Sequence, residues 1–351
     1  MEVIMQSTRL WTFAIVLFFT TTPAGMVQGK ETLTIMTHDS FNIGEKVTAR
    51  FEKDNGVTLR FLKSGDAGAA LVQAILSKNN PLADIFYGVD NTFLSRAVEA
   101  NIFTAYNSPL LKYIPEGMKL DKTNRLLPVD YGDVCLNYDK KWFHDHGINP
   151  PTDLTDLIKP EFKGLTVVEN PAVSSPGMAF LLTSIGRFGE DGYLDFWRNM
   201  RKNDVLVANG WEDAYFGHFT AASRGDRPIV VSYASSPPAT IYYSKIALDE
   251  PPTAAVVTDN TAFRQIEFVG ILKGTKKEAL ARKFIDFMLD TNFQEDIPLQ
   301  MFVFPANSNA KLPNLFVKHA VIATRPVAIR PEAIEKNRDK WIKAWTDTVI
   351  R

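Results

Sequence analysis

The residues best placed to do chemistry in this chain are aromatic and acidic: Trp211, Tyr215, Tyr233 and Phe302, with Asp66 and Asp130. Trp211, Tyr215 and Tyr233 fall within Asn209–Pro238, where an apolar run, Pro228–Val231, stops abruptly in Ser232-Tyr233-Ala234-Ser235-Ser236-Pro237-Pro238. Aromatic faces attract cations through their quadrupole, at about 0.5–2 kcal/mol per contact, and carboxylates supply counter-charge. The set therefore suits a cleft that grips a flat, cationic heteroaromatic molecule. Catalytic signatures are missing: the chain has no GxSxG elbow, HExxH, Walker loop or GxGxxG. Of 5 histidines only His144-Asp145-His146 is dense, and it is expected on a solvated loop. Tyr242-Tyr243 offers phenolate oxygens of the kind that ligate ferric iron, but neighbours on a helix diverge, and the pair is expected to pack. Neither a metal nor a cofactor is expected.

Positioning such groups requires strands that end where apolar residues give way to small polar ones, as at the ligand-binding edge of an open α/β sheet. Glu31–Met36 is expected as a strand ending near His38, and Val57–Leu62 as one ending in Ser64-Gly65-Asp66. Ala83–Asp90 is a third, with helices at Gly44–Asn55, Ala69–Ser77 and Thr92–Ala100 between or after them. This βαβ alternation argues for a parallel, helix-covered sheet. Asp66 is either a plain helix cap or a ligand contact. Leu165–Glu169 leads into Ser174-Ser175-Pro176, where Pro176 marks a helix start capped by Ser174 or Ser175. The backbone N–H groups there, with two hydroxyls, are a potential anion or hydroxyl site. Trp211 and Tyr215 are expected at the start of a helix, and Leu127–Asp139 and Arg264–Leu272 as extended crossovers. Lys276–Thr291 and Pro331–Val349 carry helical periodicity, and Trp341 and Trp345 are expected to pack rather than stack on ligand.

Length and composition set the frame. A chain of 351 residues exceeds one compact core and fits two lobes. A net charge of -1, without a basic cluster, gives no field for nucleic acid. Arg9, a short apolar run from Leu10 to Phe19 and small residues up to Gly29 form a secretory signal pattern, with cleavage expected after Gly29. Cys135 is the 1 cysteine, so an exported chain must be stable without an internal disulfide.

LTIMTHDSF, LADIFYGVDN, PVDYG, ENPAVSSPG, NGWEDAY, VVSYASSP and IPLQMFVFPAN occur in an order and spacing that resemble the periplasmic thiamine-binding component of bacterial ABC transporters. The resemblance covers essentially the whole mature chain, and NGWEDAY with SYASSP is its most specific part. It implies an α/β, two-lobed type 2 periplasmic-binding fold with crossover strands as the hinge. The lobes would be residues 30–134 with 273–351, and residues 135–272, after a signal peptide at 1–29. It further implies capture of thiamine, its phosphates or a related cationic heteroaromatic between the lobes, and delivery to an inner-membrane ABC permease, by a monomer without catalysis. Trp211 and Tyr233 match ring contacts, while Asp66, Ser174 and Ser175 match the hydroxyethyl or phosphate end. His38 stands where the family has Tyr, Phe302 where it has Trp, and Ala239 where another Tyr is expected, with Tyr242 as a substitute. The ligand set is thus His38, Asp66, Ser174, Ser175, Trp211, Tyr215, Tyr233 and Phe302. Thiaminase I resembles the same fold, which makes an enzyme using Cys135 one alternative; a ferric-ion-binding protein is the other.

Overall fold

A computed structural model describes residues 30–351; the expected signal segment and its cleavage point lie outside the described residues. Eleven strands form one sheet. They are β1 (Glu31–Thr37), β2 (Val57–Lys63), β3 (Ile85–Asp90), β4 (Phe103–Thr104), β5 (Leu127–Asp139), β6 (Thr166–Glu169), β7 (Leu206–Ala208), β8 (Ile229–Tyr233), β9 (Thr253–Val256), β10 (Phe263–Leu272) and β11 (Phe304–Pro305). The order is β2-β1-β3-β10-β5-β8-β6-β7. β1 pairs in parallel with β2 and β3, and β6 with β7 and β8. Each parallel set is joined to the centre by an antiparallel long strand.

Those long strands hold the two halves together. β5 pairs with β10 from Leu127 to Val134, then with β8 from Val134 to Tyr138. The unbroken burial of β3 and of β10 from Gln265 onward fits strands covered on both faces. Helix boundaries follow local chemistry. The Glu45–Asn55 helix ends at Gly56 in the left-handed region, φ 66°, with its N–H donating to the Glu52 carbonyl. The Ser175–Lys202 helix starts on a Ser174 cap with proline in its first turn.

The helix that opens at Ser175 runs to Lys202 in two segments, separated at Gly189 (φ 74°, ψ 170°), where the backbone leaves the helical region. Trp197 in the second segment donates to Ser184 Oγ at 2.9 Å and meets Trp345 edge-on at 5.5 Å. This packs the Pro331–Val349 helix against it, as the Trp341 and Trp345 pattern requires. Tyr215 sits not in an α-helix but in a short π-helical turn, Asp213–His218, which Trp211 precedes. His144 and His146 belong to the last turn of the Lys140–His146 helix instead of a loop. His146 there stacks on Trp142 at 3.9 Å and Nδ1–H donates to its carbonyl at 2.8 Å.

Candidate functional site

The tips of β1, β2 and β8, the start of the Ser175–Lys202 helix and the middle of β10 converge on a small inner cavity of about 40 Å³. His38, Asp66, Ser175, Trp211, Tyr233, Glu267 and Met301 line it. A larger outer cavity of about 580 Å³ shares Ser40, Trp211 and Met301 with it and is faced by Tyr215, Phe216, Tyr243, Phe302 and Lys63. A volume of that order takes a small organic molecule, whereas the inner end has room for only a few water-sized atoms.

Asp66 is the most heavily engaged group. Its carboxylate accepts N–H bonds from Ala67 (2.7 Å), Ser175 (3.2 Å) and Trp211 (3.0 Å). It is both the cap of the Ala67–Leu76 helix and an anion for the Ser175–Lys202 helix, so it joins the two halves of the sheet. Burial pushes this carboxyl above its ordinary range, against the pull of the Trp211 and Ser175 N–H groups. The second helix start offers little to an external anion: Pro176 lacks an N–H and the Gly177 N–H is directed to Ser174 Oγ at 3.4 Å. Ser174, fully buried, lies behind the cavity as that cap and lines neither cavity. Ser175 lines the inner one and accepts from Gln265 Nε2 at 2.7 Å.

Behind these residues lies a buried acidic network. Tyr87 donates to Asp130 at 2.5 Å and lies 3.0 Å from Glu267. Burial and the Glu267 charge hold the Asp130 carboxyl well above its ordinary range. Burial would raise Glu267 too, but His38, 3.4 Å away, outweighs it and holds Glu267 below the usual value. Burial likewise opposes a charge on His38, and the Glu267 carboxylate overcomes it, so His38 is raised. Asp90 is pushed up to about 7 by burial. Glu169, whose two oxygens have no partner, is raised well above its usual range by burial. Asp130 is thus a supporting group behind Tyr87, fully buried, and lines neither cavity.

The outer cavity is aromatic. Trp211 is fixed by donation from Nε1 to Ser232 Oγ at 2.9 Å and stacks on Tyr215 at 4.9 Å, 21° between planes. Tyr215 is 3% exposed, so it mainly backs the indole. Phe302 holds a left-handed backbone, φ 55°, which costs a non-glycine residue about 1–2 kcal/mol. The Ser235 hydroxyl donates to its carbonyl at 2.7 Å and helps to hold it there. Tyr233 donates to Gln265 Oε1 at 2.9 Å.

The sequence pattern missed Glu267, Met301 and Tyr243. Glu267 had a signal: with Gln265 it puts polar residues at i and i+2, on one face of an otherwise apolar strand. Tyr242 and Tyr243 are not buried packing residues; both are exposed and lie against Phe302 at 5.9 and 5.6 Å. Tyr243, rather than Tyr242, faces the cavity beside Ala239. Cys135 is fully buried under Ala234, Ala262 and Ala323, and burial pushes its thiol up. Among the described residues no group of three His, Cys, Asp or Glu side chains could hold a metal ion.

The family model for bacterial extracellular solute-binding proteins matches residues 80–322. The chain is 30% identical to the thiamine-binding periplasmic protein of Brucella suis, over 99% of this chain and 100% of that one. Its identity to the thiamine-binding periplasmic protein of Escherichia coli is 29%, over 93% and 95% of the two chains. A solved periplasmic thiamin binding protein superposes with a TM-score of 0.81 at 27% identity, over 92% of this chain and 97% of that one. The architecture is that of the two-lobed type 2 periplasmic-binding proteins, and the chain belongs to the bacterial extracellular solute-binding protein family.

Proposed function

We propose that this periplasmic solute-binding protein captures thiamine, or a closely related cationic heteroaromatic, and delivers it as a monomer to an inner-membrane ABC permease. The observation that carries this reading is the pairing of an aromatic cavity of about 580 Å³ with an inner end lined by Asp66 and Glu267. Trp211 and Phe302 offer ring faces, Tyr233 and Ser175 offer polar contacts, and the carboxylates offer counter-charge. His38 and Asp66 close the inner end, while Tyr215 and Ser174 hold Trp211 and the helix start in place. The full-length likeness to thiamine-binding periplasmic proteins supports the same ligand.

Because Asp66 already occupies the anion position at the inner end, a phosphate on the ligand would point outward, where Lys63 lines the cavity. We place the lobes at residues 30–134 with 273–351 and at residues 135–272, hinged on β5 and β10. Turnover through Cys135 does not fit this reading: a nucleophile must be accessible and readily ionised, whereas Cys135 is fully buried and its thiol is pushed up.

Calorimetric titration and thermal shift with thiamine, thiamine monophosphate and thiamine diphosphate test this. Thiamine should raise Tm in step with ln(1 + [L]/Kd). A protein whose Tm ignores millimolar thiamine, and which gives no heat with it, does not have this function.

A further inference from the structure

The inner cavity holds one imidazole, His38, beside two carboxyl groups, Asp66 and Glu267. His38 is 9% exposed, lines the cavity, and its Nε2 is buried without a hydrogen-bond partner, 3.4 Å from Glu267 Oε1. Its ring lies over Gly88, where φ is 105° and a Cβ would come within 2.4 Å of His38 Cδ2, so the backbone makes room for this imidazole. The ionisable groups around it come from every neighbouring element. Asp39 belongs to its own loop, Asp66 to the β2 tip, Tyr87 to β3, Asp130 to β5, Tyr233 to β8 and Glu267 to β10. No lysine or arginine lines this cavity; Lys63 faces the outer one.

We propose that His38 is a resident counter-ion that a cationic ligand displaces: in the empty protein its imidazolium neutralises Glu267, and ligand entry takes over Glu267 while the Nε2–H proton leaves to solvent. The N–H bond breaks to give neutral imidazole and a hydrated proton, with no redox change. This rests on the reading of the ligand as a cation. Two unit positive charges about 4 Å apart, at an effective dielectric near 20, weaken binding by roughly a thousandfold. Releasing the proton costs only about tenfold for each pH unit by which the His38 pKa exceeds the ambient pH. Deprotonation is the cheaper course wherever the imidazole pKa lies less than about three units above the ambient pH. The pair also sets a pH dependence: cation affinity falls as acid protonates the imidazole.

Calorimetry of thiamine in phosphate and in Tris at pH 7 reads the protons released, because the two buffers ionise with different heats. Net proton release, up to one per ligand, is expected from the wild type and close to none from His38→Gln. From pH 7 to pH 6 the wild-type Kd should weaken by up to about tenfold, and the His38→Gln Kd much less. Equal proton release by the two proteins overturns the proposal. NMR titration of the His38 imidazole in the empty protein decides independently of thiamine. A midpoint above the ordinary 6.5 that drops in Glu267→Gln supports the counter-ion, and one at or below 6.5 overturns it. A raised midpoint with no thiamine heat sustains the counter-ion and sinks the thiamine reading instead.

Discussion

The two ends of the cleft are built on different physics. The outer cavity is wide and aromatic, walled by Trp211, Phe302 and Tyr243, with Trp211 stacked on Tyr215 and Tyr243 against Phe302. The inner end is about 40 Å³ and polar, and hardly a group in it acts alone. Asp66 is tied to three N–H donors, Tyr87 links Asp130 to Glu267, and Glu267 is balanced by His38. Ring stacking tolerates small displacements, whereas a buried charge pair fails if one partner is removed. The outer end should therefore supply much of the affinity, and the inner end should decide charge.

Trp211 borders both cavities, so Trp211→Ala should have the largest effect. It should raise the thiamine Kd about 100-fold or more, as for a buried aromatic anchor, read by calorimetry. An unchanged Kd would dissolve the distinction, because the shared wall would then bind nothing. Glu267→Gln should cost about 10- to 100-fold, the range of a charged contact, with the melting temperature checked in parallel. Equal losses for thiamine and an uncharged aromatic of similar size would show that the inner end does not read charge.

A stability measurement probes the inner end without ligand. Asp90 keeps its proton up to about pH 7 when folded, against 3.8 ordinarily. The unfolded chain gives up that proton first, so folding stability should fall as pH rises from 3.8 to about 7 and then level off. Asp90→Asn should remove this slope and gain about 4 kcal/mol at pH 8 relative to pH 4, measured by urea denaturation. Phe302→Ala should cost about tenfold in thiamine affinity, consistent with one ring contact. The smallest effect belongs to Cys135→Ser, outside both cavities: thiamine affinity should move less than about twofold, with at most a modest loss of Tm.

Much of the scaffold could be read from sequence because it rests on local rules. The Pro331–Val349 helix was expected with its observed ends, since proline starts it and Ile334, Trp341 and Trp345 recur on one face. The β1, β2 and β8 tips were expected where apolar runs meet small polar residues, and those tips carry His38, Asp66 and Tyr233. Reading became weaker where two meanings share one spelling. Ser174 and Ser175 are adjacent and alike, yet one caps a helix behind the cavity and the other lines it, because successive residues at a helix start face different ways. Nothing local marks Tyr243 as exposed, because its exposure depends on where the segment that carries it projects.

By itself the sequence determined the βαβ alternation of the first three strands, the absence of a disulfide, and the stretch containing Trp211 and Tyr233, because periodicity, capping and residue chemistry act over a few positions. Only the tertiary structure decided which carboxylates meet. Asp66 with the Ser175 and Trp211 N–H groups, and His38 with Glu267, are contacts across more than a hundred residues. Their protonation depends on burial and on neighbouring charge, which distant chain segments create only when they fold together.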